Sequence, residues 1–156
     1  MIISFEKEED IAEIWKRLIY FPKQVNKSII DLTLNKIFLI GSQGALDFGG
    51  SEYKQSDLVL LQPTIENDPK YGWWTLKRGE YIIEFNEILM NESCIAFVFP
   101  HKRLQMTGCY HPTFIVNPIK LEGSYALRSL LIVSTNVVRL KENARISSAI
   151  TFDLSA

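Results

Sequence analysis

The chain has 156 residues, of which 47% are hydrophobic, and its 17 lysines and arginines nearly balance its 18 aspartates and glutamates. This composition fits one domain with a hydrophobic core. The net charge of −1 argues against non-specific nucleic-acid binding, and two cysteines argue against a disulfide scaffold. No apolar run is nearly as long as a membrane-spanning helix, which needs about 18 residues, and the first residues do not have the pattern of a signal peptide. We therefore expect a soluble cytoplasmic protein with no membrane partner.

The first predicted element is an amphipathic helix over residues 6–20. Acidic residues crowd its first turns and basic residues its end, as the helix dipole favours. Ser4 suits the N-cap, and Pro22 would stop the helix. We predict that this helix forms an N-terminal unit, residues 1–24, packed on the rest of the domain. Apolar side chains recur on one face at about 3.6-residue spacing, namely Ile11, Ile14, Trp15, Leu18 and Ile19.

From residue 28 onward the pattern changes to short apolar segments separated by turn residues. About eight to ten short strands with turn signals roughly every 8–12 residues favour an all-β distorted barrel or sandwich of jelly-roll type over residues 25–156. Residues 77–80 are predicted as a turn. The strands are predicted at residues 29–40, 45–48, 58–61, 73–76, 81–86, 94–99, 113–117, 130–135, 137–140 and 146–152.

A basic triplet, His101-Lys102-Arg103, follows the predicted strand 94–99 and its terminal Pro100. A short helical turn and then Gly108 come next. A row of positive charge on a turn held by an apolar strand suits an anion. A solvated surface turn explains the same residues, so the triplet alone does not establish a binding site.

Four residues have the chemistry of zinc ligands: Cys94, Cys109, His101 and His111. Their spacing matches no standard zinc site. Cys94 lies within an apolar run, which is typical of a small core residue. We therefore expect no metal site built from these side chains.

Two further groups of side chains also have a structural and a functional interpretation. Tyr71, Trp73 and Trp74 could stack on a base, but packing against the domain or a neighbouring subunit is the favoured interpretation. Four basic residues could form a local basic patch, or they could be ordinary surface charge: Lys102, Arg103, Lys120 and Arg128.

Five segments, in order, resemble the dUTPase and dCTP deaminase superfamily. The resemblance covers about residues 25–153. The segments are Ser28–Phe38 (the opening strand), Gly44–Phe48 (the segment that follows in archaeal members), Leu76–Glu87 (the Leu-x-Pro-Gly-x-Tyr stretch), Pro100–Gly108 (the phosphate-binding turn), and Asn136 with Glu142–Ile146 (the closing hairpin).

The resemblance implies a dUTPase-like distorted β-barrel that assembles as a homotrimer with active sites at subunit interfaces. It implies a dUTP- or dCTP-type nucleotide whose phosphates carry Mg²⁺. In this family, dUTPases hydrolyse dUTP to dUMP and pyrophosphate, and the deaminases convert dCTP to dUTP without zinc. Nucleic acid is not an expected partner. The resemblance places nucleotide-binding residues at His101, Lys102, Arg103, Gln105, Gly123, Tyr125 and Ser148.

The sequence departs from the family at its functional positions. The phosphate turn usually carries Arg-Ser-Ser, whose hydroxyls donate to phosphate, whereas this chain has His101-Lys102-Arg103. Leu121 stands where the family has the water-activating Asp, and Glu122 is the only carboxylate beside it. The deaminase Glu would fall within Leu130–Val133, which is entirely apolar, and Ser148 replaces the closing Gln.

These departures predict a dUTPase-like protein with weakened or lost catalysis and a nucleotide-binding, regulatory or assembly role. The alternative is an active dUTP diphosphatase that uses Glu122 as its base and Mg²⁺ on the bound triphosphate. A third possibility is a purely structural module, because a fold does not by itself imply a function.

Overall fold

The structure, a computed structural model, describes residues 1–118 and 126–155. The described part is built mostly from antiparallel strands, with three short helices. In chain order the elements are α1 (Glu8–Ile11), β1 (Trp15–Lys16), α2 (Phe21–Gln24), β2 (Val25–Asn26), β3 (Ile29–Ile40), β4 (Leu58–Leu61), β5 (Trp73–Phe85), β6 (Ile88–Leu89), β7 (Cys94–Pro100), α3 (Lys102–Met106), β8 (Cys109–Tyr110), β9 (Phe114–Val116), β10 (Arg128–Lys141) and β11 (Arg145–Asp153).

One large sheet organises the domain, with strand order β8-β10-β5-β3-β11-β7-β9. Strands β2 and β4 also pair with β3, and β1 pairs with β6 in a separate two-stranded ribbon. The first half of β3 pairs with β11, and its second half pairs with β5 and β4. The sheet therefore curls around β3 into a half-barrel, which confirms the predicted all-β class.

The core lies inside the curl, where the inward side chains of the central strands are removed from water. Leu32 and Leu34 of β3, Ile83 of β5 and Leu131 of β10 have no exposed surface. Alternation along each strand produces this pattern, since successive side chains point to opposite faces. Burial of each of these apolar side chains stabilises the curled sheet by about 1.5–3 kcal/mol.

The long helix predicted over residues 6–20 is wrong. The helix α1 ends at Ile11, and Lys7 rather than Ser4 occupies the N-cap position. Trp15 lies instead on β1 opposite Leu89, is 1% exposed, and donates its indole N–H to Thr151 Oγ1 at 2.9 Å. Burial of this indole overrides the helical periodicity, and Arg17 with φ of 66° then turns the chain.

Pro22 is also placed differently from the prediction, because it lies in the first turn of a second short helix, α2. Proline is tolerated there since that N–H has no helical partner. Phe5, Ile11 and Trp15 join the same core cluster as the sheet. The N-terminal segment therefore packs on the half-barrel, while the domain boundary after residue 24 stays a prediction.

The turn predicted at residues 77–80 is also wrong, because β5 runs unbroken from Trp73 to Phe85. Gly79 has φ of +147°, a conformation that glycine adopts without strain. Opposite it, the register of β10 shifts between Val133 and Val137. The predicted strands 130–135 and 137–140 are therefore one strand with a β-bulge.

The other predicted strands lie close to their observed positions. The strands predicted at 29–40 and 58–61 coincide with β3 and β4. The segment predicted at 45–48 forms only an isolated bridge between Ala45 and Lys54. Among the described residues, no helix has the length and apolar character needed to cross a membrane.

Candidate functional site

The candidate site is the turn after β7, where the chain leaves the sheet and forms α3. Leu104 of α3 is 3% exposed and anchors the helix to the core. Gly108 ends the turn with φ of +87°, and a Cβ there would lie 3.0 Å from Thr135 Cβ. Only glycine fits this close approach without strain. The short helical turn predicted after the basic triplet is confirmed.

His101 caps its own helix. Its ring Nδ1 accepts the backbone N–H of Arg103 at 3.0 Å. Its ring Nε2 lies 3.5 Å from Asp31 Oδ2 on β3, and the side chain is 18% exposed. Since Nδ1 accepts a hydrogen bond, the neutral ring carries its proton on Nε2, facing the carboxylate. The imidazole is therefore held between α3 and β3.

Asp31 is the centre of this arrangement. Ser148, directly opposite on β11, donates its hydroxyl to Asp31 Oδ1 at 3.0 Å. Arg145 donates to Oδ2 at 3.2 Å. The carboxylate thus has a hydroxyl, a guanidinium and an imidazole around it, and its side chain is 14% exposed. This cluster of Asp31, His101, Arg145 and Ser148 is called the Asp31 cluster below.

The structure brings together only part of the predicted nucleotide-binding set. His101 and Ser148 meet on Asp31. Lys102, Arg103 and Gln105 lie on α3 with exposed side chains. Glu122, Gly123 and Tyr125, like Lys120 and Leu121, lie outside the described residues, so their predicted roles stay predictions.

Sequence reasoning missed Asp31 and Arg145 as members of the site. The available signal was a carboxylate, Asp31, within the apolar first half of the strand 29–40, where it forms an Asp-Leu pair with Leu32. Cross-strand pairing of β3 with β11 then places Ser148 opposite it. The side of β3 that faces α3 could not be read from the sequence pattern.

A basic groove lies between α3 and the β10–β11 turn, with a cavity volume of ≈ 310 Å³ and walls that include Trp73, Arg103, Arg139, Lys141 and Arg145. Lys141 pairs with Asp68 at 2.9 Å, and its hydrogen bond lowers the pKa of that exposed carboxyl. Arg139 pairs with Glu66 and lies over Trp73. Among the described residues no carboxylate or hydrogen-bond acceptor holds the Arg103 guanidinium, which leaves this cation open to an anion.

The predicted basic patch is only partly formed. Arg128 does not join Lys102 and Arg103, because it pairs with Glu84 at 3.0 Å and lies over the ring of Phe38. That position is on the outer face of the sheet. The prediction that Arg128 belongs to this basic patch is therefore wrong.

The aromatic pair supports the packing interpretation. Trp74 is 3% exposed and donates its indole N–H to Leu61 O at 3.0 Å, so packing is confirmed for this residue. Trp73 is half-buried beneath Arg139 and Lys141. Trp74 is buried, and a base that stacked on the Trp73 face beneath Arg139 would have to displace this cation.

The cysteines and His111 are structural. Cys94 is 2% exposed and lies in the core as predicted, and Cys109 is also buried. His111 is 1% exposed, with Nε2 2.6 Å from Ser147 Oγ and Nδ1 2.8 Å from Pro112 O. Burial lowers the pKa of His111, which keeps the ring neutral.

The described residues do not fit a resident metal ion. They contain no group of three His, Cys, Asp or Glu side chains that could hold one. The carboxylate of Asp31 is already shared between Ser148 and Arg145.

The strand that would carry a deaminase carboxylate is apolar. Leu131 and Val133 point into the core and are 0% and 1% exposed. Leu130 and Ile132 point to the other face, beside Ile82 and Glu80 of β5. Residues 130–133 thus provide no acid or base for proton transfer.

Comparisons with known proteins give relatives and a fold match. No family model matches the chain. The probable deoxyuridine 5'-triphosphate nucleotidohydrolases of Methanosarcina barkeri and Methanosarcina acetivorans are each 32% identical over 139 residues, covering 85% of this chain and 74% of each relative. The 2'-deoxycytidine 5'-triphosphate deaminase of Agrobacterium tumefaciens matches the fold with a TM-score of 0.63 and 14% identity over 96% of this chain. The chain covers 47% of that deaminase, about half its length.

Proposed function

Because this chain belongs to the dUTPase and dCTP deaminase superfamily, we propose that it is a member whose hydrolytic and deaminase chemistry is weakened or lost. Its role is to bind a dUTP- or dCTP-type nucleotide in regulation or assembly. The relatives support nucleotide binding as the starting point. The arrangement of the Asp31 cluster supports the loss of turnover.

The observation that carries this proposal is the state of the phosphate-binding turn. A phosphate bound in such a turn needs free backbone N–H groups and hydroxyl donors. Here the N–H of Arg103 is already taken by the ring of His101 at 3.0 Å. Long side chains replace both hydroxyl residues at Lys102 and Arg103. A phosphate cannot settle into this turn as it would against two serines.

The Asp31 carboxylate adds a second obstacle. It lies 3.5 Å from His101 Nε2, at the base of the turn. Arg145 already pairs with this carboxylate at 3.2 Å, so its guanidinium is less available to a phosphate. The free cation of Arg103 and the groove beside it offer a weaker, displaced point of attachment.

Hydrolysis also needs a base placed against the attacking water. Glu122 stays the one predicted base, and a residue one position from the family's Asp, with a longer side chain, would hold that water less well. Deamination lacks a carboxylate anywhere in Leu130–Val133. Mg²⁺ on the bound triphosphate, a homotrimer and a cytoplasmic location are further parts of the proposal.

The test measures pyrophosphate from dUTP and ammonia from dCTP, with purified protein and Mg²⁺. We expect no product above the protein-free background. The imido analogue of dUTP should raise the melting temperature, because any ligand of the native state stabilises it. The double variant Lys102→Ala, Arg103→Ala should reduce that shift, whereas Lys77→Ala, an exposed lysine on β5 away from the turn, should leave it unchanged. Fast pyrophosphate release contradicts the proposal.

The second candidate function is an active dUTP diphosphatase. It is favoured by the Methanosarcina relatives, which are probable deoxyuridine 5'-triphosphate nucleotidohydrolases. It predicts pyrophosphate release that Glu122→Gln abolishes while the analogue still binds. An analogue that gives no thermal shift at high concentration counts against both candidates and favours a structural module.

A further inference from the structure

A second cavity lies on the outer face of the sheet, apart from the Asp31 cluster. Its volume is ≈ 800 Å³, within the about 300–1,000 Å³ typical of small-molecule sites. The floor consists of the outward side chains Ile40, Ile82 and Leu130 on β3, β5 and β10. None of its lining residues belongs to α3 or to the Asp31 cluster.

An arm formed by residues 41–57 makes the other wall of this cavity. Gly41 N–H donates to Asp57 O at 2.6 Å, and Asp57 N–H donates to Ser42 Oγ at 2.8 Å. Further out, Ala45 and Lys54 exchange both backbone hydrogen bonds at 2.8 Å. These hydrogen bonds tie the two halves of the arm to each other, so the arm forms a defined wall of the cavity.

The charge of the cavity is positive. Lys54 and Arg128 line it, and none of the described residues that line it is a carboxylate. Arg128 is held in place because both its Nε and one terminal nitrogen lie 3.0 Å from Glu84 Oε1. Glu84 also faces Lys36 at 3.9 Å, so two cations, Arg128 and Lys36, share one carboxylate.

Leu46 completes the apolar wall although it is 88% exposed. Exposing this side chain to water is unfavourable by about 25 cal/mol for each Å². An apolar body in the cavity would cover Leu46 together with Leu58 and Ile82. The cavity therefore combines apolar walls with fixed positive charge.

We propose that this cavity binds a small amphipathic anion, a molecule with an apolar body and one carboxylate or sulfonate group. The apolar body lies between Leu46 and the sheet residues Ile82 and Leu130. The anionic group faces Lys54 and Arg128. This site is independent of the nucleotide proposal, because it shares no residue with the phosphate turn.

The test titrates the native protein with 8-anilinonaphthalene-1-sulfonate, whose fluorescence rises in an apolar site, and displaces it with dodecanoate. We expect one saturable site per chain, displaced by dodecanoate more readily than by dodecan-1-ol, which has the same tail without the charge. The imido analogue of dUTP should not displace the dye. Lys54→Glu should weaken dye binding by at least about fivefold, since it exchanges attraction for repulsion, and Leu46→Glu should also weaken it.

Two matched variants control for general surface effects. Phe48→Glu changes an exposed side chain on the same arm that does not line the cavity, and Lys77→Glu reverses an exposed lysine on β5. Both should bind the dye like the native protein. The proposal is overturned by unsaturable binding, by equal effects of all four variants, or by equal displacement by dodecan-1-ol. It is also overturned if dye binding disappears as the protein self-associates, because a second copy then covers the cavity.

Discussion

His111 should make the stability of this protein fall on acidification. Nδ1 lies 2.8 Å from Pro112 O, which can only accept, so Nδ1 carries the proton and Nε2 accepts the Ser147 hydroxyl at 2.6 Å. Burial lowers the pKa of His111 below its ordinary value of 6.5. The unfolded chain then takes up a proton before the folded chain does. The stability that His111 contributes is present above pH 6.5 and is lost as the pH falls towards the folded pKa.

The variant His111→Phe isolates this effect, because the new ring can pack against Phe85 and Phe114 as the imidazole does. At pH 7.5 the variant should be less stable by about 1–3 kcal/mol, since Ser147 Oγ loses its buried partner. Between pH 6.5 and the folded pKa, the difference from the native protein should shrink by up to about 1.4 kcal/mol per pH unit.

Urea unfolding at steps from pH 7.5 to pH 4.5 measures this difference, and contributions of other groups cancel in it. Ser147→Ala is the matched control, because it removes the same hydrogen bond and keeps a buried imidazole. Its stability should still fall on acidification. A free-energy difference between native protein and His111→Phe that stays constant, or grows as the pH falls, would refute the reasoning.

Three other substitutions test the site and the fold. Asp31→Asn should lower the free energy of unfolding by about 1.5–3 kcal/mol, the range for hydrogen bonds to a charged group, and an unchanged urea midpoint would show that the Asp31 cluster is not formed. Burial raises the pKa of Glu87, so the stability that Glu87 contributes is complete below about pH 4.5 and is lost as the pH rises through the folded pKa. The free energy of unfolding of the native protein, relative to that of Glu87→Gln, should therefore fall from pH 4.5 to pH 7. A rise over this range contradicts the reasoning. Gly108→Ala should cost about 1–2 kcal/mol by thermal unfolding, because φ is +87° and the new Cβ would meet Thr135 at 3.0 Å; no loss would mean that the turn relaxes freely.

Much of the sheet could be predicted because its strands are short apolar segments, some of them partly alternating, between turn residues. The strand 29–40 and the strand 58–61 are examples. The failures occur where tertiary contacts override local pattern. Trp15 fits a helical face, but its indole is used in a buried hydrogen bond to Thr151. Gly79 looks like a turn residue, yet its conformation serves a bulge between two long strands.

The location of the candidate site could be predicted from the sequence, but its hydrogen bonds and ion pairs could not. The basic triplet marked the turn, and α3 forms there. That His101 turns back to cap Arg103 and to face Asp31 depends on how β3 and β11 align, which no local pattern specifies. Arg128 appeared basic and free, but Glu84 holds it on the opposite face of the sheet.

The central claim is that this superfamily member no longer turns over its nucleotide, and a single-turnover reaction tests it most directly. Protein in large excess over dUTP, with Mg²⁺, converts all bound substrate even if product release is slow, so a hidden chemical step cannot escape detection. The account predicts that dUTP stays intact over hours while the imido analogue still raises the melting temperature. Conversion of dUTP to dUMP and pyrophosphate within seconds, abolished by Glu122→Gln, would contradict it.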